Sequence, residues 1–337
     1  MQVYGPMTDA LSDHVITEGA PERERDARRS PTELADALVK AVSTPVRGKH
    51  ESVHIALAGV LGGGHLLIED LPGTGKTLLA KSIAAAMGGD FGRVQCTPDL
   101  LPTDITGTSV FHPNDGSWEF RPGPLFANVV LIDEINRASP RTQAALLEPM
   151  EEHQTTVDGT TWPLPRPFVC VATQNPHGQI GTFPLPESQL DRFAVVLTMG
   201  IPDRDSEREI ITGQGGVDVL GSVEAVTTPD EVGSAIAAIR RLYCAPAVIE
   251  YLLDLTEATR SSTELTVGAS PRASTSLLNV ARAHAVLSGR EYLTPVDVQA
   301  MFVPAYAHRV AVDARVDTFA ARTILERLLS RCPVPRP

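Results

Sequence analysis

Residues 69 to 77 read EDLPGTGKT, and what this stretch asks of the backbone selects the fold. Gly73 and Gly75 permit left-handed turns and close approach, so successive backbone N–H groups can converge on phosphate oxygens. A helix starting near Lys76 aims its positive end at the same point. In this reading Pro72, Gly73, Thr74, Gly75, Lys76 and Thr77 form a phosphate-binding loop. Lys76 neutralises the terminal phosphates and the Thr77 hydroxyl holds a magnesium ion. The flanks agree, because HLLIE (65 to 69) reads as a buried strand and KTLLAKSIAAAMGG as a helix ending in glycines. The plainer alternative is a glycine turn that caps a helix by accident. With only four lysines in the chain, a chance match is a rare event. The usual G-x-x-x-x-G-K-[ST] pattern places glycine where this chain has Asp70. That first glycine starts the turn farthest from the terminal phosphates, so its loss bears on affinity, provided the backbone there stays extended.

Working outward from the loop, residues 55 to about 200 alternate apolar strand-like runs with helix-like segments, the pattern of a parallel sheet covered on both faces. The runs are HLLIE, FGRVQC (91 to 96), VVLI (129 to 132), FVCVAT (168 to 173) and FAVVLTM (193 to 199), giving five parallel strands. HPNDGSW and VDGTTW each set Asp-Gly between strand-prone residues and read as inserted β-hairpins. Upstream, SPTE (30 to 33) opens a helix with Leu34, Leu38 and Val42 on one face. In PERERDARR, seven of nine residues are charged, which makes residues 1–29 a solvated, disordered tail. After Ile201-Pro202 the pattern is helical only, with starts at TPDE (228), SPRA (270) and TPVD (294). The expected organisation is an α/β nucleotide-binding domain over 30–201 and a small helical lid domain over 202–337.

VVLIDEINRA supplies the second half of a site: an apolar strand ending in Asp133 and Glu134 at the sheet's carboxyl edge, where open α/β sheets bind ligands. Adjacent acids on a strand point opposite ways unless the strand ends between them. Asp133 would then hold the magnesium shell with Thr77, and Glu134 would orient and deprotonate an attacking water. Otherwise the two acids merely cap the next segment.

The net charge of -12, from 29 basic and 41 acidic residues, works against a large phosphate-neutralising surface, so nucleic acid is disfavoured as a partner. Cys96, Cys170, Cys244 and Cys332 lie far apart with no zinc spacing and read as free thiols, which points to the cytoplasm. HIALAGVLGGGHLLI is better explained as a helix followed by a strand than as a membrane insertion.

Together, EDLPGTGKT, DLLPTDITG, GPLFANVVLIDEINRASPRTQAALLEPMEEHQTTVDG, VATQNP, GTFPLPESQLDRF and GASPRAS resemble the MoxR group of AAA+ ATPases, from about residue 31 to the end. The resemblance implies an ATP-hydrolysing, ring-forming protein, usually a hexamer. It implies a chaperone-like remodeller of client proteins, often ones with a von Willebrand factor A domain. Asp at the Asp70 position occurs in this group. The resemblance makes Asn175 the sensor that positions water, although an Asn-Pro turn would explain it locally. It makes Arg192 in LDRF the finger reaching a neighbouring subunit's nucleotide, against an ordinary surface arginine. It makes Arg272 in SPRAS the lid sensor touching its own subunit's phosphates, against a salt-bridged surface residue. Arg137 in INRA is a further candidate without an assigned role. Two features depart from the group. Pro149 in LLEPM should end or bend its helix early, and PVRGKHE places the adenine contacts near Gly48 on an unusual segment. The ATPase core also suits a nucleic-acid motor or a chelatase-type subunit. Neither hairpin stretch, HPNDGSWEF or TVDGTTWPLP, carries Lys or Arg, which counts against the motor.

Overall fold

The structure, a computed structural model, describes residues 29–175, 181–213, 216–313 and 316–335. Apart from Arg29, the segment assigned by sequence to the charged tail lies outside the described residues. The first elements are helices α1 (Pro31–Ser43) and α2 (His50–Leu61). Leu34, Leu38 and Val42 are buried along one face of α1, as their spacing predicts. Strand β1 (His65–Glu69) runs into the glycine loop and α3 (Lys76–Ala86), followed by β2 (Phe91–Gln95) and the short α4 (Pro102–Thr106). A hairpin of β3 (Gly107–His112) and β4 (Ser117–Pro122) comes before β5 (Val129–Asp133) and a 3-10 turn at Ile135–Arg137. Then come α5 (Pro140–Ala144), α6 (Leu147–Glu152), a second hairpin of β6 (Gln154–Val157) and β7 (Thr160–Pro163), β8 (Val169–Gln174), α7 (Glu187–Leu190) and β9 (Phe193–Leu197).

The sheet is five-stranded and parallel, in the order β2-β5-β8-β1-β9. Every residue of β1, β5 and β9 is buried, which is why these strands read as continuous apolar runs. β2 sits at the edge, and its alternating burial puts Arg93 and Gln95 on one exposed side. The carboxyl ends of β1, β5 and β8, at the middle of the sheet, deliver the glycine loop, the acid pair and Asn175 to one edge. Each hairpin forms its own two-stranded antiparallel sheet. The second turn is the two-residue Asp158-Gly159 with positive φ at both, the conformation an Asp-Gly pair predicts, whereas the first hairpin turns through residues 113–116 with positive φ at Gly116 and not at Asp115.

A turn at Ala145 and Leu146 interrupts the helix between α5 and α6. Pro149 lacks an N–H, and its ring would strike the carbonyl four residues back, that of Ala145, so the chain makes two short helices instead of one.

The helical portion comprises α8 (Arg204–Ile211), α9 (Val217–Leu220), α10 (Pro229–Ile239), α11 (Pro246–Ser261), α12 (Pro271–Leu287), α13 (Pro295–Tyr306) and α14 (Thr318–Arg331). Thr228 with Glu231 and Thr294 with Asp297 form capping boxes, and Ser270 caps α12 through the Ala273 N–H, each at a predicted start. α12 packs on α2, and α13 packs on β9. Asp297 is fully buried and bound by Arg290 (2.6 Å), His284 (2.7 Å) and the Thr294 hydroxyl (2.6 Å). Burial pushes its carboxyl up, but these hydrogen bonds outweigh burial and hold it well below the ordinary aspartate value.

Candidate nucleotide-binding site

A cavity of about 500 Å³ opens at the carboxyl edge of the sheet, within the range of small-molecule sites, roughly 300–1,000 Å³. Pro72, Gly73, Thr74, Gly75, Lys76 and Thr77 line it together with Asp133, Glu134 and Asn175. Gly73 and Gly75 have φ of 82° and 97°, left-handed values that a side chain would strain, and a Cβ on Gly73 would meet nothing within 4 Å. Gly75 caps α3 without any side-chain hydrogen bond, and no acid lies in the first turn of that helix. The first N–H groups of α3 therefore face the cavity with their positive field uncompensated, which fits a phosphate chain. Lys76 donates to the carbonyls of Asp70 (2.6 Å) and Leu71 (3.0 Å). Burial lowers its pKa, while Asp70, Asp133 and Glu134 act to raise it.

Asp70 keeps its backbone out of the left-handed region, so glycine is not needed there. Its carboxylate accepts the N–H of Leu71 (2.7 Å) and of Gly200 (2.5 Å), just beyond β9. Lys49 donates to the Gly200 carbonyl at 2.9 Å. Gly200, on the way to the helical portion, is thus held through its N–H by the phosphate loop and through its carbonyl by α2's entry. Gly48 lies outside the cavity, against Ser206 and Asp203, while its neighbours Pro45, Val46, Arg47 and Lys49 line the cavity wall. Pro202, Ile210 and Val217 complete that apolar end.

β5 ends between the two acids. Glu134 takes φ 54° and ψ 50°, turning its side chain away from the strand's alternation, so both carboxylates line the cavity. The Thr173 hydroxyl, 1% exposed, donates to Asp133 Oδ1 (2.9 Å) and accepts the Glu134 N–H (2.9 Å). Arg93 donates to Asp133 Oδ2 at 2.8 Å. Arg137 donates to Glu134 Oε2 at 2.9 Å, which gives it a place beside the acid pair. Sequence reasoning missed Arg93 and Thr173. The alternation of FGRVQ signals an edge strand with Arg93 and Gln95 facing one way, and Thr173 stands on β8 two residues before Asn175, which lies just past the strand's end. Nothing local marks either as a partner of Asp133.

Arg192 and Arg272 do not line this cavity. They meet in a second one, at the start of β1 and β9, together with His65, Glu151 and Arg309. The two cavities lie at opposite ends of β1, a five-residue strand about 13 Å long. Glu151 pairs with both Arg192 and Arg272, the latter at 2.7 Å, and Arg309 pairs with Asp191 at 2.9 Å. Burial lowers the pKa of Arg192, and the neighbouring Arg272 adds to this. Arg309, whose side chain is 3% exposed, is brought down to about 10 by burial, against the pull of Asp191. Arg272, expected from the sequence to touch its own chain's phosphates, thus lies in this second cavity and not beside the glycine loop. α12 packs on α2, which carries its first turn to the amino edge of the sheet, away from the glycine loop.

Residues 65–195 match the family described as the ATPase family associated with various cellular activities (AAA), and residues 257–328 match the AAA lid domain. YeaC of Bacillus subtilis, itself uncharacterized, is 38% identical over 304 residues, 90% of this chain and 95% of the relative. Chaperone MoxR1 of Mycobacterium tuberculosis is 35% identical over 329 residues, covering 94% of this chain and 86% of its own. The crystal structure of a Cytophaga hutchinsonii protein assigned as an ATPase superposes with a TM-score of 0.82 at 32% identity, covering 91% of this chain and 96% of that one. An MCM homologue from Methanopyrus kandleri shares the fold alone, with a TM-score of 0.53 at 18% identity over 94% of this chain and 64% of that one.

Proposed function

This chain belongs to the MoxR family of AAA+ ATPases, and from that premise we propose that it is an ATP-driven, ring-forming remodeller of partner proteins, assembled as a hexamer in the cytoplasm. The observation that carries the proposal is the division of its machinery between two cavities. Lys76, Asp133, Glu134 and Asn175 surround one, and Arg192 with Arg272 occupies the other. A subunit so divided completes a site only by lending its arginines to a neighbour.

In the first cavity the backbone N–H groups at the start of α3 and the Lys76 ammonium bind the triphosphate, while Pro45, Val46, Pro202, Ile210 and Val217 receive the base. Thr77 and Asp133 would hold magnesium, which neutralises charge on the phosphates when bound. Glu134 takes the proton of the attacking water and Asn175 orients that water. For Glu134 to act, its carboxylate has to leave Arg137. Arg192 and Arg272 then stabilise negative charge at the neighbour's terminal phosphate, a contribution of thousands-fold in rate where such arginines have been measured.

The two hairpins are the elements that meet a client, since binding segments favour loops and ribbons held by a rigid scaffold. Trp118 and Phe111 on the first hairpin are exposed at 70% and 47% and pack against each other at a tilt, ring centroids 5.1 Å apart and planes at 49°. The family resemblance makes a protein with a von Willebrand factor A domain the expected client class. No helix among the described residues is long and apolar enough to cross a membrane. The test is Glu134→Gln with ATP and magnesium, which blocks hydrolysis and should trap assemblies. Light scattering should show a hexamer, and affinity capture should recover a client. A particle that stays monomeric at every nucleotide concentration refutes the ring.

A further inference from the structure

The helix α6 carries two glutamates one turn apart whose partners lie on different parts of the fold. Glu151 binds Arg192 and Arg272. Glu148 binds the second hairpin: its carboxylate accepts the Thr156 N–H (3.1 Å) and the Thr156 hydroxyl (2.7 Å). Between them, the carbonyl of Met150 accepts from His65 Nε2 at 2.9 Å, while His65 Nδ1 accepts the Cys170 N–H at 3.1 Å. This pair of bonds fixes a neutral tautomer, consistent with burial bringing the imidazole pKa down to about 4. A turn at Ala145 and Leu146 separates this six-residue helix from α5. Beyond α6, Trp162 of the second hairpin stacks on Phe120 of the first, with centroids 4.4 Å apart and planes at 13°. The two hairpins are therefore joined.

We propose that Glu151 is the positioning residue for the arginine pair, and that α6, through Glu148, passes the arginines' engagement of a neighbour's nucleotide on to both hairpins. The inference rests on the reading in which Arg192 and Arg272 act in trans. Arg272 stands in the first turn of α12, where the helix field disfavours a cation, and Arg192 is 15% exposed, so each needs an anion nearby. Glu151 supplies it for both at once and fixes the distance between the two guanidinium groups. A displacement of about 1 Å in such groups can cost on the order of a hundredfold in rate. When a phosphate chain competes for the guanidiniums, Glu151 is drawn or released along the axis of α6. Glu148, three residues before it, moves with the same rigid turn.

The experiment uses the full chain in a Trp118→Phe background, which leaves Trp162 as the sole tryptophan. ATP hydrolysis and Trp162 emission are followed together, the latter on adding a slowly cleaved ATP analogue with magnesium. Glu151→Gln should lower kcat about tenfold with KM within threefold, and Glu151→Asp should recover part of it. Glu148→Ala should keep hydrolysis within about twofold but lose the nucleotide-induced change in Trp162 emission. Thr156→Val, which removes one of the two bonds, should show the same uncoupling in weaker form. Arg192→Ala is run alongside. If it abolishes hydrolysis while Glu151→Gln leaves kcat unchanged, or while Trp162 responds normally in Glu148→Ala, the relay is overturned and the trans reading survives. If Arg192→Ala hydrolyses ATP normally, the trans reading falls and the relay with it.

Discussion

Replacing Asp70 by alanine isolates the one position where the phosphate loop departs from its usual pattern. The carboxylate accepts two backbone N–H groups, from Leu71 at 2.7 Å and Gly200 at 2.5 Å. A hydrogen bond to a charged acceptor is worth about 1.5–3 kcal/mol. Leu71 is half exposed, and water can recover its N–H in the variant, whereas Gly200 loses a partner that fixes the exit from β9. The net loss is about 2–3 kcal/mol in stability. If half of it falls on the nucleotide-ready loop, about 1.4 kcal/mol, Kd for an ATP analogue rises about tenfold. Asp70 also heads the charges that oppose the burial-driven lowering of the Lys76 pKa. Its removal should shift the alkaline fall-off of binding to lower pH, because Lys76 then loses its proton sooner. Calorimetric titration across pH, paired with denaturant unfolding, reads all three effects. Asp70→Asn, which keeps one acceptor oxygen, should fall between. An alanine variant with wild-type affinity, unfolding midpoint and pH profile would refute the reasoning.

Thr173→Val removes the hydroxyl that ties Asp133 to the Glu134 backbone and leaves the Glu134 N–H without a partner, at about 1–3 kcal/mol. Steady-state hydrolysis should fall roughly 10-fold or more, and Thr173→Ser should restore it. Asp297→Asn breaks the buried cluster with Arg290 and His284 and should cost about 3 kcal/mol at pH 7. Because the folded pKa of Asp297 is depressed, its contribution is present above the unfolded value, about 4, and is lost as pH falls toward the folded one. Unfolding curves of wild type and variant should therefore converge in acid. Mixing Lys76→Ala with Arg192→Ala subunits, each inactive alone, should regain hydrolysis, since a mixed interface pairs an intact loop with an intact arginine.

Much of this protein was legible along the chain because its signals are local. Strands buried on both faces must be apolar throughout, and VVLI and HLLIE are. Thr-Pro-x-Glu and Thr-Pro-x-Asp close capping boxes within four residues, and the Asp158-Gly159 pair sets a hairpin turn within two. The glycine loop and the Asp133-Glu134 pair share this locality, and the end of β5 between those two acids was foreseeable from the chemistry they must perform. The remainder depends on residues far apart in sequence. Asp70 meets Gly200 across 130 residues, and Thr173 meets Asp133 across 40. The placing of Arg272 followed from the packing of α12 on α2, which no pattern within SPRAS encodes. Gly48 was assigned near the base by its segment, yet its neighbours face the cavity while it faces Ser206.

The central claim is that the cavity at the carboxyl edge of the sheet binds a triphosphate through Lys76 and the start of α3. Titrating the full chain with a slowly cleaved ATP analogue and magnesium in a calorimeter tests it most directly. Saturable heat for the wild type, lost in Lys76→Ala while the variant keeps its circular dichroism spectrum, is the predicted result. No heat for the wild type, or equal affinity in Lys76→Ala, would contradict it.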